Sequence, residues 1–274
     1  PNNFLGEKTF EFFLYMNGLL GTILIGTVVG TFFTGSEFTV NEMNSSTWQT
    51  PYYGLELAFN FTRFGTYINL SLGLAVFFLS RVLAAQYFMN SIDNDEILRL
   101  SKKQLINNAI PFLFFFLFFL ISILISDGYA YNPANGIVTM ETHKYLHNLL
   151  ELPAVGILFL IGVIAVIFGI IRGYFFFNEC STKAIWISGF GTILTVFSLF
   201  MIAGFNNTCF YPSSYDIQSS LTIENASSSK YTLTAMSYVS LIVPFVIAYI
   251  WYAWASLNKE KITEEEMEND THAY

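Results

Sequence analysis

Six long apolar stretches, each divided from the next by a polar loop, constrain this chain more than any other feature. They run 10–33, 65–88, 106–126, 152–176, 184–205 and 232–257. A helix of about twenty residues is about 30 Å long, which matches the hydrocarbon core of a bilayer. Hydrocarbon offers the backbone no hydrogen-bond partner, so each stretch must satisfy its own N–H and C=O groups, and a helix does so within one segment. The expected fold class is therefore all-α: a polytopic integral membrane bundle of about six transmembrane helices. It is expected to form one domain over 1–274, with 258–274 as an acidic tail.

Composition agrees with a chain immersed in lipid. Hydrophobic residues make up 54% and charged residues only 12%, about half the charged share of an ordinary soluble domain. The net charge of −8 comes largely from the loops and from Glu264, Glu265, Glu266, Glu268 and Asp270, a run that reads as a solvated end. No basic patch is present, which argues against a nucleic-acid partner.

Charge in the loops sets the expected orientation. Lys8, Arg99, Lys102, Lys103, Arg172, Lys183, Lys259 and Lys261 flank one side of the spans. Only Arg63, Lys144 and Lys230 flank the other. Basic residues favour the cytoplasmic side, so both termini are expected there and three long polar loops, 34–64, 127–151 and 206–231, outside. Cys180 and Cys209 then fall on opposite sides of the fifth span and cannot bridge each other within the chain.

Small and bulky residues predict the packing. Gly18, Thr22, Gly26 and Gly30 recur every four residues, stacking small side chains on one face of the first helix; Gly169 and Gly173 do the same late in the fourth. Such faces let helices approach closely in lipid. The run 111–119 is almost continuous Phe and Leu with no polar face, and is expected against lipid or a partner's apolar flank. Pro153 suits the first turn of the fourth helix, Pro111 opens or kinks the third, and Pro244 predicts a kink within 241–246.

Few ionisable groups lie in or beside the spans, so each is a candidate for function. Arg81 sits inside the second span, where it either snorkels to the interface or pairs with an acid in a partner. His143, His147 and Glu151 are spaced four and four, which on a helix lines one face. Two imidazoles and a carboxylate there suit metal binding, a proton relay, or simply a solvated loop face of an amphipathic helix over 141–151. No haem-attachment motif, phosphate-binding loop or nucleophile elbow occurs. No catalytic residue is assigned.

Several segments taken together resemble subunit II of the cytochrome bd-type quinol oxidases. From Phe210 the chain reads Pro212-Ser213-Ser214, Ser220-Leu221-Thr222, Ala226-Ser227-Ser228 and Thr232-Leu233, and then a helix with Val243-Pro244. The tail carries Ile262-Thr263, a run of acids and Asn269-Asp270-Thr271-His272. Gly73 through Arg81, Asp127-Gly128-Tyr129, Asn148 and Pro153 match as well, in the manner of the Bacteroidetes-like branch. The resemblance covers the whole chain but only the last two-thirds or so of a usual family member. With Pro1 at its start, the sequence is expected to lack an amino-terminal third.

The resemblance implies a terminal oxidase in the bacterial cytoplasmic (inner) membrane that oxidises quinol and reduces dioxygen to water. It implies that haem b and haem d belong to a larger partner, oxidase subunit I. This chain would then carry no haem and would not be catalytic alone; it would pack against subunit I, contact membrane lipid, and conduct protons or hold a structural quinone. His143, His147, Glu151 and Arg81 are carried as candidates for proton handling or subunit pairing, and none is transferred from a family site. The competing expectation is a subunit of a transporter or channel. The spans show no obvious internal repeat and almost no acid near the bilayer midplane, which weighs against it.

Overall fold

A computed structural model describes residues 7–41, 45–50, 64–175 and 183–257. Cys180 and the acidic tail lie outside the described residues. Among the described residues, six helical segments are long and apolar enough to cross a membrane. The first three are α1 (Glu7–Thr34), α2 (Phe64–Ser91) and α3 (Asp95–Ile125). A short helix α4 (Lys144–Glu151) then turns into α5 (Pro153–Phe175), which is followed by α6 (Ala184–Gly204). After a single helical turn, α7 (Ile223–Ala226), the last crossing is made by α8 (Lys230–Ser240) and α9 (Val243–Leu257).

The third crossing starts well before its apolar stretch. Asn94 is its N-cap, and the Asn94 Oδ1 accepts from the backbone N–H groups of Glu96 at 3.0 Å and Ile97 at 3.1 Å. Asp95 and Glu96 place negative charge at the positive end of the helix dipole. The helix is therefore nucleated in the polar segment that hydropathy alone assigned to a loop. Pro111 neither opens nor interrupts it, and α3 continues to Ile125. At Pro244 the expectation holds: α8 ends at Ser240, and a turn at Leu241 and Ile242 leads into α9.

Close contacts follow the small residues, though not all of them. A β-carbon on Gly26 would lie 2.7 Å from the Cα of Gly73 on α2, and one on Gly30 would lie 2.8 Å from the Cα of Asn69. Gly18, in the same four-residue register, meets nothing within 4 Å. Gly162 and Gly191 bring α5 and α6 together in the same way, and Gly173 faces Leu105 and Ala184. The phenylalanine run departs from its expectation. Phe112, Phe116 and Phe119 are buried in the core and only Phe114 and Phe118 are exposed. A helix samples every direction in 3.6 residues, so an unbroken apolar run feeds both the core and the lipid. In the core, Phe119 packs edge-on against Phe33 of α1 at 5.6 Å.

The three long loops meet at one end of the bundle, as their alternation predicts. Strands β1 (Phe38–Val40) and β2 (Ser46–Trp48) form one antiparallel pair; β3 (Gly128–Asn132) and β4 (Ile137–Glu141) form another. Residues 205–229 stitch them together. Ser213 Oγ donates to the Phe38 carbonyl at 2.5 Å, Val40 N–H donates to Ser219 Oγ at 3.0 Å, and Cys209 N–H donates to the Tyr129 carbonyl at 3.0 Å. Gln218 exchanges two hydrogen bonds with the backbone of Val138. The result is a polar cap resting on an apolar bundle.

Candidate functional site

Strand β4 ends at Glu141, which puts this carboxylate beside the start of α4. Lys144 Nζ lies 3.1 Å from Glu141 Oε2, and His147 Nδ1 lies 3.0 Å from Glu141 Oε1. The hydrogen bond from His147, with a further one from Lys144, holds the Glu141 carboxyl below its ordinary range despite some desolvation. His143 does not join them on a helical face. It is the N-cap of α4 with φ 53°, in the left-handed region, so the helix begins one residue later. Glu151 belongs to another network, accepting from Asn206 Nδ2 at 2.5 Å.

The three residues spaced by four are thus distributed over separate tasks. His147 pairs with Glu141, Glu151 pairs with Asn206, and His143 makes the turn. Among the described residues no three His, Cys, Asp or Glu side chains form a group able to hold a metal ion. What the arrangement offers is an exposed imidazole–carboxylate pair at the edge of the cap. The amphipathic character expected over 141–151 is present, but the helix covers only Lys144–Glu151 and buries Tyr145 and Asn148.

Those two buried residues hold the cap to the bundle. The Tyr145 hydroxyl donates to the Phe33 carbonyl at 2.9 Å, and complete burial raises its pKa. Asn148 Nδ2 donates to the Ile202 carbonyl and to Thr208 Oγ1, both at 2.7 Å, while its Oδ1 accepts from Asn206 at 3.0 Å. Asn206 and Asn207 both take positive φ just past α6. An Asn pair after Gly204 is the one sequence signal for this helix ending. Cys209 is a buried free thiol whose pKa burial pushes up to about 12.

Arg81 lies on α2, far from the cap. Its Nε donates to Asn108 Oδ1 on α3 at 2.9 Å, and its guanidinium sits 5.6 Å from the Phe77 ring centroid. Within this chain the contact to Arg81 is thus an amide rather than a carboxylate. Asn108 is what fixes the arginine.

The family model for cytochrome bd terminal oxidase subunit II matches residues 2–257. The chain belongs to that family. It is accordingly a multi-pass bacterial membrane protein. It is similar to the cytochrome bd-I ubiquinol oxidase subunit 2 of Escherichia coli K12, with 31% identity over 151 residues. The same protein from Escherichia coli O6:H1 and O157:H7 matches equally. The match takes in 54% of this chain and 38% of the length of these relatives.

Proposed function

We propose that this chain supports a larger, haem-bearing subunit I, and that the assembled pair oxidises quinol and reduces dioxygen to water. The observation that carries the reading is the family match over residues 2–257. The chain has three histidines, His143, His147 and His272, and the described membrane-spanning helices contain none of them. The spans thus offer no imidazole to a haem iron, and haem b and haem d are assigned to the partner. Electron transfer and oxygen reduction belong there too, and this chain is not catalytic alone.

What this chain contributes is a rigid apolar body. Glycine-lined contacts between α1 and α2 and between α5 and α6 fix its helices at close range. The amino-terminal half of α1 and most of α8 and α9 stay uncovered, presenting Phe12, Phe13, Tyr15, Phe245 and Tyr249 to lipid or to subunit I. The loop bias in basic residues supports a cap outside the cytoplasmic membrane and both termini inside, with the chain as one transmembrane domain ending in an acidic tail. His147 with Glu141, and Glu151 with Asn206, are the groups of the cap suited to handling protons.

The test is genetic. Membranes from cells lacking this chain are expected to lose quinol-dependent oxygen uptake, and expression of the chain to restore it. Oxygen uptake unchanged by the deletion of a chain that the wild type expresses would exclude the reading.

A further inference from the structure

Arg81 is a cation without a carboxylate. It uses Nε for Asn108, and no carboxylate among the described residues pairs with it. A guanidinium carries five N–H donors, so most of its capacity is left for something else. The side chain is nevertheless held in place. Asn108 is 5% exposed, and its Nδ2 donates to the Gln104 carbonyl at 2.6 Å and to Gln104 Oε1 at 3.2 Å.

The arginine opens into a groove of about 390 Å³ between α2 and α3, lined also by Ala84, Phe88, Leu100, Ser101 and Gln104. Its depth follows from helix geometry. Helix α3 has 31 residues and spans about 46 Å, against about 30 Å of hydrocarbon. Its apolar part begins at Ile106, so Asn108 and Arg81 lie about half a turn inside the boundary, just below Lys102 and Lys103. Asp93, Asp95 and Glu96 sit about three turns farther out on this end. Toward the midplane, Phe77, Phe78 and Phe115 continue the face of Arg81 and Asn108, with Phe78 and Phe115 stacked at 5.9 Å.

At this depth the guanidinium reaches the headgroup region, where its free N–H groups meet lipid phosphates. Interfacial depth, a guanidinium with free donors in a mostly apolar groove, and an aromatic bed leading inward are the three features of one class of ligand. We propose that this groove binds an anionic phospholipid. Its phosphate takes the free N–H groups of Arg81 beside Ser101 and Gln104, and its acyl chains lie along Phe77, Phe78 and Phe115.

The chain, purified from its native membrane with whatever it carries, is placed in nanodiscs of phosphatidylcholine or phosphatidylglycerol with identical acyl chains. Lipids retained after detergent release are counted by native mass spectrometry. The wild type is expected to retain phosphatidylglycerol preferentially, a comparison that needs no variant. Arg81→Gln is expected to lower that preference about fivefold, the factor that one basic group supplies at an anionic surface. Excess inorganic phosphate is expected to leave the bound lipid in place, because the acyl chains hold it. Three results would overturn the proposal: no preference in the wild type, an unchanged preference in Arg81→Gln, or displacement by inorganic phosphate. An Arg81→Gln protein that sheds a partner subunit while keeping its lipid preference would instead give Arg81 to a partner's carboxylate.

Discussion

Replacing Gly73 by alanine puts the packing of α1 on α2 to a quantitative test. A β-carbon at residue 73 would lie 2.5 Å from the Ile23 carbonyl oxygen and 2.5 Å from Thr27 Oγ1. The Ile23 contact falls roughly 0.9 Å short of ordinary van der Waals distance, and a backbone carbonyl cannot rotate away as a side chain can. Helix α1 must therefore move off α2, at a cost of about 1–3 kcal/mol for an overpacked contact. Alanine returns about 0.5–1 kcal/mol through its better helix propensity, so the clash wins. Gly18→Ala is the matched control. It shares the four-residue register of Gly26 and Gly30 yet meets nothing within 4 Å, so only the propensity gain applies. Unfolding in mixed mild-detergent and SDS micelles should show Gly73→Ala destabilised and Gly18→Ala neutral or slightly stabilised. Equal effects at the two sites would refute the helix register described here.

Asn148→Ala removes three hydrogen bonds between the cap and the bundle, so a loss of about 2–4 kcal/mol is expected in the same assay. Gln86 is fully buried, and neither its Nε2 nor its Oε1 has a hydrogen-bond partner. Gln86→Leu should therefore stabilise by about 1 kcal/mol, and a clear loss would reveal a partner for the amide. The folded-state pKa of Glu141 is depressed, so its contribution is present above the unfolded-state value and is lost as pH falls through the folded one. Melting curves between pH 3 and 6, roughly the carboxylate range, should steepen on the acid side in the wild type and flatten in Glu141→Gln. Cys209, buried and with its pKa pushed up to about 12, should react with maleimide slowly at pH 8 in the folded protein and quickly once unfolded. Fast labelling in the native state would contradict its burial.

The six crossings are legible because lipid makes hydropathy almost the only variable that matters for a span. Their ends are less so. The early start of α3 rests on the Asn94 cap, a local hydrogen bond that no apolar average registers. Glycine spacing identified the helix faces but could not say which glycines meet a neighbour: Gly26 and Gly30 do, and Gly18 does not. The His143, His147 and Glu151 spacing failed as a pattern for one reason. A helical period has meaning only inside a helix, and His143 lies before its first turn with φ 53°. Asn148 and Asn206, which organise the cap, give little sequence signal, because their value comes from partners some sixty residues away. Arg81 was visible as an oddity within an apolar span, whereas Asn108 as its anchor required the packing of α2 on α3.

The assignment of the haems and the chemistry to a partner is tested most directly by purifying the tagged chain from its native membrane in mild detergent and recording a reduced-minus-oxidised visible spectrum. Bands of b-type and d-type haem that co-purify with a second, larger subunit, and disappear when that subunit is stripped away, are the predicted result. Haem that stays with this chain after the partner is removed would contradict it.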